Sequence, residues 1–103
     1  MSITLRIVQR FEHRHQKEFL ELERKFAEME KRRRDLVKGK RLRPISGPEP
    51  TNTLIWEAEF PDIAAASDWL AANAQDTEHE ELYEQQEPFF EAVRIEFYEN
   101  LEY

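Results

Sequence analysis

Three stretches of this chain alternate apolar and polar residues with a period of two. In residues 2–11, Ile3, Leu5 and Ile7 alternate with Thr4, Arg6 and Val8, and the pattern reaches Phe11. In 53–60, Leu54, Trp56, Ala58 and Phe60 point one way and Thr53, Ile55, Glu57 and Glu59 the other. In 93–99, Val93, Ile95 and Phe97 oppose Arg94, Glu96 and Tyr98. Successive side chains of a strand point to opposite faces, so each stretch is predicted to be a strand with one buried face.

The intervening segments have a different period. From His15 to Leu36, Phe19, Leu22, Phe26, Met29 and Leu36 fall at spacings that gather them on one side of a helix, with Glu, Lys and Arg elsewhere. The Lys31–Arg34 run lies near its carboxyl end, where cations complement the helix dipole. Gly39 is a plausible stop, and residues 40–45 read as a short basic strand. PISGPEPTN, residues 44–52, has loop composition. Pro61 and Asp62 end the third strand, and Asp62 is a good N-cap for a helix over 63–73. A second helical stretch over 77–92 places Leu82, Tyr83, Gln86, Phe89, Phe90 and Val93 on one side, and Pro88 is expected to kink or restart it.

The order is βαββαβ. Right-handed crossovers turn it into a four-stranded antiparallel sheet with the helices on one face, which is the α+β, ferredoxin-like arrangement. At 103 residues the chain reads as a single domain spanning 1–103. The absence of cysteine excludes a disulfide framework and thiol chemistry and fits a reducing compartment. MSITLRIVQRF does not read as a secretory signal, and no apolar run approaches the roughly 18 residues of a membrane span, so a soluble cytoplasmic protein with no membrane partner is expected.

The net charge of −7 is unevenly placed: residues 1–50 carry 14 Lys/Arg against 8 Asp/Glu, and residues 51–103 carry 1 against 14. The halves are therefore expected to complement each other, within one chain or between two copies. The sheet face away from the helices would carry Thr4, Arg6, Val8, Arg10, Ile55, Glu57, Glu59, Arg94, Glu96 and Tyr98. Such a face is either solvated or closed against a second copy, with Arg6, Arg10 and Arg94 pairing Glu57, Glu59 and Glu96 across a two-fold axis; the homodimer is favoured.

LIWEAEFPDIAAASDWL, residues 54–70, resembles the corresponding stretch of dimeric α/β-barrel proteins of the antibiotic-biosynthesis-monooxygenase and NIPSNAP-like groups. The element order of the whole chain is similar to theirs, while the motif itself covers about 17 residues. The resemblance implies a homodimer forming an α/β barrel. It also implies chemistry for some members: haem-degrading monooxygenases of this barrel use a helix tryptophan, an iron-ligating histidine ten residues later, and an asparagine on the first strand. Trp69 and His79 match that spacing. Strand one has no asparagine, only Thr4 and Gln9, and His79 sits among Asp76, Glu78, Glu80 and Glu81. Haem remains what the resemblance implies; the residues themselves call for no cofactor.

A modest cavity is expected between sheet and helices near Trp56, Trp69 and Phe90, with His79 beside it. On the opposite face, Arg6, Glu57, Arg94 and Tyr98 could line a polar pocket for an anionic or carbonyl-bearing molecule, or pair as salt bridges. Glu12, His13 and His15 are too few and too close in sequence for a metal site, and none is assigned. No Ser/His/Asp arrangement or phosphate-cradling glycine loop is present; the only glycines are Gly39 and Gly47. The basic stretch 31–43 suggests an interaction module for an acidic partner or RNA, but no paired aromatics accompany it on the exposed strands, and nucleic acid is not expected. The reading is a small-molecule-binding dimer, with monooxygenase activity as the alternative and the interaction module as a second.

Overall fold

The structure is a computed structural model that describes all residues, Met1–Tyr103. Its elements are β1 (Ile3–Phe11), a 3-10 turn (His13–His15), α1 (Gln16–Arg32), β2 (Lys40–Leu42), β3 (Thr53–Phe60), α2 (Ile63–Gln75), α3 (Thr77–Gln86), a second 3-10 turn (Glu87–Phe89) and β4 (Phe90–Glu99). The sheet order is β2-β3-β1-β4, antiparallel throughout. This is the expected ferredoxin-like α+β architecture, and no helix is long and apolar enough to cross a membrane.

Register fixes which side chains share a face. Ile7 stands opposite Trp56 and Ile95, and Leu5 opposite Ala58 and Phe97, so the helix-side face carries the residues that the alternation assigns to it. The core on that face is split. Ile3, Leu5, Trp56, Phe60 and Ala66 form one cluster under α2. Phe11, Phe19 and Leu54 form the other under the start of α1. Ile7 and Gln9, between the two clusters along β1, line a cavity. Val93, Ile95 and Phe97 are 50%, 48% and 43% exposed, because β4 is an edge strand that the helices only partly cover.

Four boundaries differ from the sequence reading. Helix α1 ends at Arg32, not Leu36, because Arg33 turns extended and its guanidinium bonds Asp76 at 2.7 and 3.0 Å; residues 33–39 become a strap. The second helical region stops at Gln86, and Pro88 sits in the 3-10 turn, where its missing amide hydrogen is harmless. β4 begins at Phe90, so Phe90 and Val93 belong to a strand and not to a helix face. β2 is limited to Lys40–Leu42. Asp62 caps α2 as expected, accepting from Ala65 N at 2.8 Å.

The loop 43–52 folds back over the helix-free face. Its Glu49 meets Arg94 at 2.7 Å on the far edge strand, and Val8 and Ile55, which point to this face, are buried.

Gly39 lies flat against the Trp56 indole, which in turn stacks on Trp69 with centroids 4.5 Å apart and planes at 10°. A methyl group at Gly39 would sit 1.7 Å from Trp56 Nε1. Gly39→Ala should therefore displace the stacked pair, costing about 1–3 kcal/mol. A lowered melting temperature together with a weakened near-ultraviolet indole signal would register it; an unchanged indole signal would mean the stack does not depend on that contact.

Candidate functional site

The cavity has a volume of about 430 Å³, within the size range of small-molecule sites. Most of its wall is apolar: Phe26 and Met29 from α1, Leu36 and Val37 from the strap, Trp69 and Leu70 from α2, and Phe90, Val93 and Ile95 from β4. Helix periodicity explains the α2 contribution, since Trp69, Leu70 and Asn73 lie three and four residues apart on one side.

Into this apolar wall is set a charged cluster. Glu23 and Glu30, two helical turns apart on α1, are each more than 90% buried. Arg41 of β2 inserts between them: Nε donates to Glu23 Oε2 at 2.6 Å, Nη1 to Glu30 Oε1 at 3.0 Å and Nη2 to Glu30 Oε2 at 2.7 Å. Gly39 N and Trp56 Nε1 also donate to Glu30, and Gln86 Nε2 donates to Glu23 Oε1 at 3.0 Å. Burial disfavours the guanidinium charge, but the bonds to Glu30 and Glu23 outweigh it and raise the Arg41 pKa above its ordinary value.

Other polar groups facing the cavity are uncommitted. Trp69 Nε1 is buried without a hydrogen-bond partner, as is His79 Nδ1, which lies 3.5 Å from Glu80 Oε1 outside hydrogen-bond geometry. Gln9 and Asn73, each 8% exposed, line the cavity and bond no other side chain. Burying a donor such as the Trp69 N–H unpaired costs about 1–3 kcal/mol, and the two amides without side-chain partners open on the same space, so their convergence marks the cavity as a place for a hydrogen-bonding occupant. Tyr83 completes the rim; burial first, then Glu87 and Glu80, raises its pKa.

Of the residues singled out from sequence, Trp56, Trp69, His79 and Phe90 converge on the cavity. Arg6, Glu57, Arg94 and Tyr98 lie on the opposite sheet face, since alternation points them away from the helices. There they meet one another and the loop: Arg6 Nε is 3.2 Å from Glu57 Oε2, the Tyr98 ring lies 5.8 Å from the Arg6 guanidinium carbon, and Arg94 pairs with Glu96 and Glu49. Arg10 pairs with Glu91. These are partners within one chain, where the sequence reading set them across a two-fold axis. Glu12 bonds Arg14, and His15 lies against Phe89; no group of three potential metal ligands is assembled. The sequence reading missed Glu23, Glu30, Arg41 and Asn73, and weighed Gln9 only as a strand-one substitute for an asparagine. The available signal was the presence of Glu23 and Glu30 on the apolar side of α1, beside Phe19, Leu22, Phe26 and Met29.

Haem does not fit these residues. The one guanidinium in the cavity is already held by two carboxylates, so no cation there is free to balance propionates, and the imidazole of His79 packs against Phe26 with centroids 5.1 Å apart.

Solved structures share this fold. A NIPSNAP family protein from Agrobacterium tumefaciens superposes with a TM-score of 0.78 at 12% identity, covering 99% of this chain and 88% of that one. An uncharacterized NIPSNAP-like domain protein from Burkholderia xenovorans gives 0.78 at 14% identity, with coverages of 97% and 85%. SnoaB from Streptomyces nogalater, a cofactor-independent oxygenase, gives 0.66 at 14% identity, with coverages of 99% and 95%. No family model and no curated protein matches the sequence. The likeness is one of fold, and it agrees with the NIPSNAP-like and antibiotic-biosynthesis-monooxygenase resemblance of residues 54–70.

Arg41→Leu would strand two buried carboxylates and should cost about 3–5 kcal/mol at neutral pH. Denaturant melts at neutral pH would check the size, and a loss under about 1 kcal/mol would mean the two carboxylates are not held by that guanidinium. A second expectation concerns Asp76, which caps α3 by accepting from His79 N at 2.9 Å. The Arg33 guanidinium first, and the His79 amide second, lower its pKa to about 2. Its contribution should be complete above the ordinary aspartate range and lost as pH falls toward about 2. Asp76→Ala should cost about 1–2 kcal/mol at neutral pH, and Asp76→Asn, which keeps a capping oxygen, should cost less. Equal losses would assign the effect to the ion pair alone.

Proposed function

We propose that this protein, built on the fold of the NIPSNAP and antibiotic-biosynthesis-monooxygenase structures, binds a small molecule in the cavity between its sheet and helices. The observation that carries the reading is the convergence of unpaired polar groups, Trp69 Nε1, Gln9 and Asn73, on a cavity whose remaining wall is mostly apolar. A ligand with a flat apolar body and one or two hydrogen-bonding groups would satisfy them. Self-association is the second part of the proposal. The dimer of the sequence reading uses the helix-free sheet face, where Tyr98 is half-exposed; its charges already paired within the chain would contribute less than the sequence suggests.

Oxygenase activity without a cofactor is the alternative reading. Its support is a cavity in which an apolar wall surrounds an uncommitted indole N–H, a setting that would hold a substrate away from water. The interaction-module reading is weakened in part: Arg32 pairs with Glu78, Arg33 with Asp76, Asp35 and Glu78, and Arg41 with Glu23 and Glu30, so three of the eight cations in 31–43 are neutralised internally.

Titration of the neutral aromatic alcohol 1-naphthalenemethanol should quench the Trp56–Trp69 pair saturably and raise the melting temperature. Ala74→Trp, at an exposed position on the cavity's edge, should abolish both responses while leaving the fold intact. Quenching that survives Ala74→Trp would refer binding to the outer surface. Sedimentation at micromolar concentration should give twice the 12.5 kDa chain mass, and a strictly monomeric species would remove the dimer.

A further inference from the structure

We propose that the cavity selects its occupant by charge, accepting an organic cation with a flat apolar body, such as an aromatic ammonium, and rejecting carboxylates. The inference rests on reading the cavity as a ligand site and adds the class of ligand. Its wall carries two buried carboxylates, Glu23 and Glu30, and the half-exposed Glu80, against the single guanidinium of Arg41. That guanidinium's charge is already committed to two carboxylates: Nε is held by Glu23, both terminal nitrogens by Glu30, and Nη1 also approaches Gly39 O at 3.5 Å, leaving one N–H on Nη2. An incoming anion would meet buried negative charge with no free cation to answer it, and an unpaired buried charge is strongly disfavoured.

Acceptor capacity, by contrast, remains. Each oxygen of Glu23 accepts a single side-chain bond, from Gln86 and from Arg41, whereas a carboxylate offers about four lone-pair sites. Gln9 and Asn73 are amides more than nine-tenths buried, uncommitted to any other side chain, and each can turn a carbonyl oxygen toward an ammonium. These amides mark a ligand position independently of the acidic groups, while the Trp69 N–H, a donor that an ammonium cannot answer, is left to the π face of the ligand's aromatic body. Phe26, Tyr83 and Phe90 supply aromatic surface around the same space, and aromatic faces attract cations. The net charge of −7 adds a long-range field of the same sign.

The test uses three probes on one skeleton, 1-naphthylmethylamine, 1-naphthalenemethanol and 1-naphthoate, at fixed pH and salt. Calorimetry gives the affinities, and indole quenching reports occupation of the cavity. The amine should bind about tenfold more tightly than the alcohol, and the carboxylate at least about tenfold more weakly than the alcohol. Glu23→Gln leaves Arg41 paired with Glu30 and should shrink the preference of amine over alcohol to about threefold or less. Glu80→Gln, at the half-exposed edge of the cavity, provides a second reduction should the first variant fold poorly. Glu59→Gln removes the same charge from the exposed opposite face and should leave the preference intact. Naphthoate binding in the cavity as tightly as the amine would overturn the charge selection while keeping the ligand site. A preference equally reduced by Glu59→Gln would overturn the local origin, and no quenching by any probe would remove the ligand site itself.

Discussion

The insertion of Arg41 between Glu23 and Glu30 holds the two sides of the molecule at a fixed separation. β2 has only three residues and pairs on one side alone, so its ladder by itself anchors it weakly. The guanidinium makes the edge strand a bracket, reaching from the sheet to α1 across space that side chains do not fill. Burying two carboxylates and a guanidinium carries a desolvation cost that their mutual attraction offsets only when the geometry is good. Here the geometry is good, and every group has several partners. What the cluster supplies beyond attraction is position: it fixes the strap, through Gly39 N on Glu30, and the Trp56 indole, through Nε1 on the same carboxylate.

That bracket makes a divided core physically tolerable. Small domains usually fill the space between sheet and helices with one continuous cluster. This one has a cluster at each end of β1 and a cavity between them. The apolar area lost in the middle is partly compensated by aromatic contacts at the ends: Phe11 on Phe19 at 4.5 Å, Phe19 against the edge of Phe90 at 5.4 Å, and Trp56 on Trp69. The half-exposed Val93 and Ile95 show the same shortage of cover from the other side, since both line the cavity and also reach solvent along the edge strand.

The period-two segments located β1 and β3 to within a residue, and with them the faces of the sheet, because alternation is a local property that tertiary contacts rarely override. Helix ends were less legible. The apolar spacing ran through to Leu36, and only the distant Asp76 explains why the chain leaves the helix after Arg32. Phe89, Phe90 and Val93 fit a helical period as well as an extended one, and Pro88 alone could not say on which side of itself the strand began. The aromatic half of the cavity was visible in Trp56, Trp69 and Phe90. Its polar half was fainter: Glu23 and Glu30 fall on the apolar side of α1, but in a chain so rich in charge they and Arg41 pass for ordinary surface residues. They become meaningful once α1 and β2 face each other, a relation of register that no single window of sequence contains.

The charge asymmetry finds its explanation in the same contacts. Arg32 and Arg33, at the end of α1, meet Glu78 and Asp76 at the α2–α3 junction, and Arg6 meets Glu57 across the β1–β3 ladder, so the basic half closes on the acidic half within one chain. These pairs lie at the surface or rim, where solvent limits each to a few tenths of a kcal/mol or at most about 1 kcal/mol. Their importance is therefore geometric. Arg33 latches the strap 33–39 to the α2–α3 junction, and the strap brings Leu36 and Val37 over the cavity. The acidic half outnumbers its partners, so the surplus carboxylates must go somewhere. Most are solvated, and Glu80, 40% exposed, borders the cavity whose wall also carries Glu23 and Glu30. An apolar enclosure whose two buried carboxylates, Glu23 and Glu30, share one guanidinium is a costly arrangement for packing alone, and that cost is the physical ground for the proposal of an occupant that is positively charged and partly apolar.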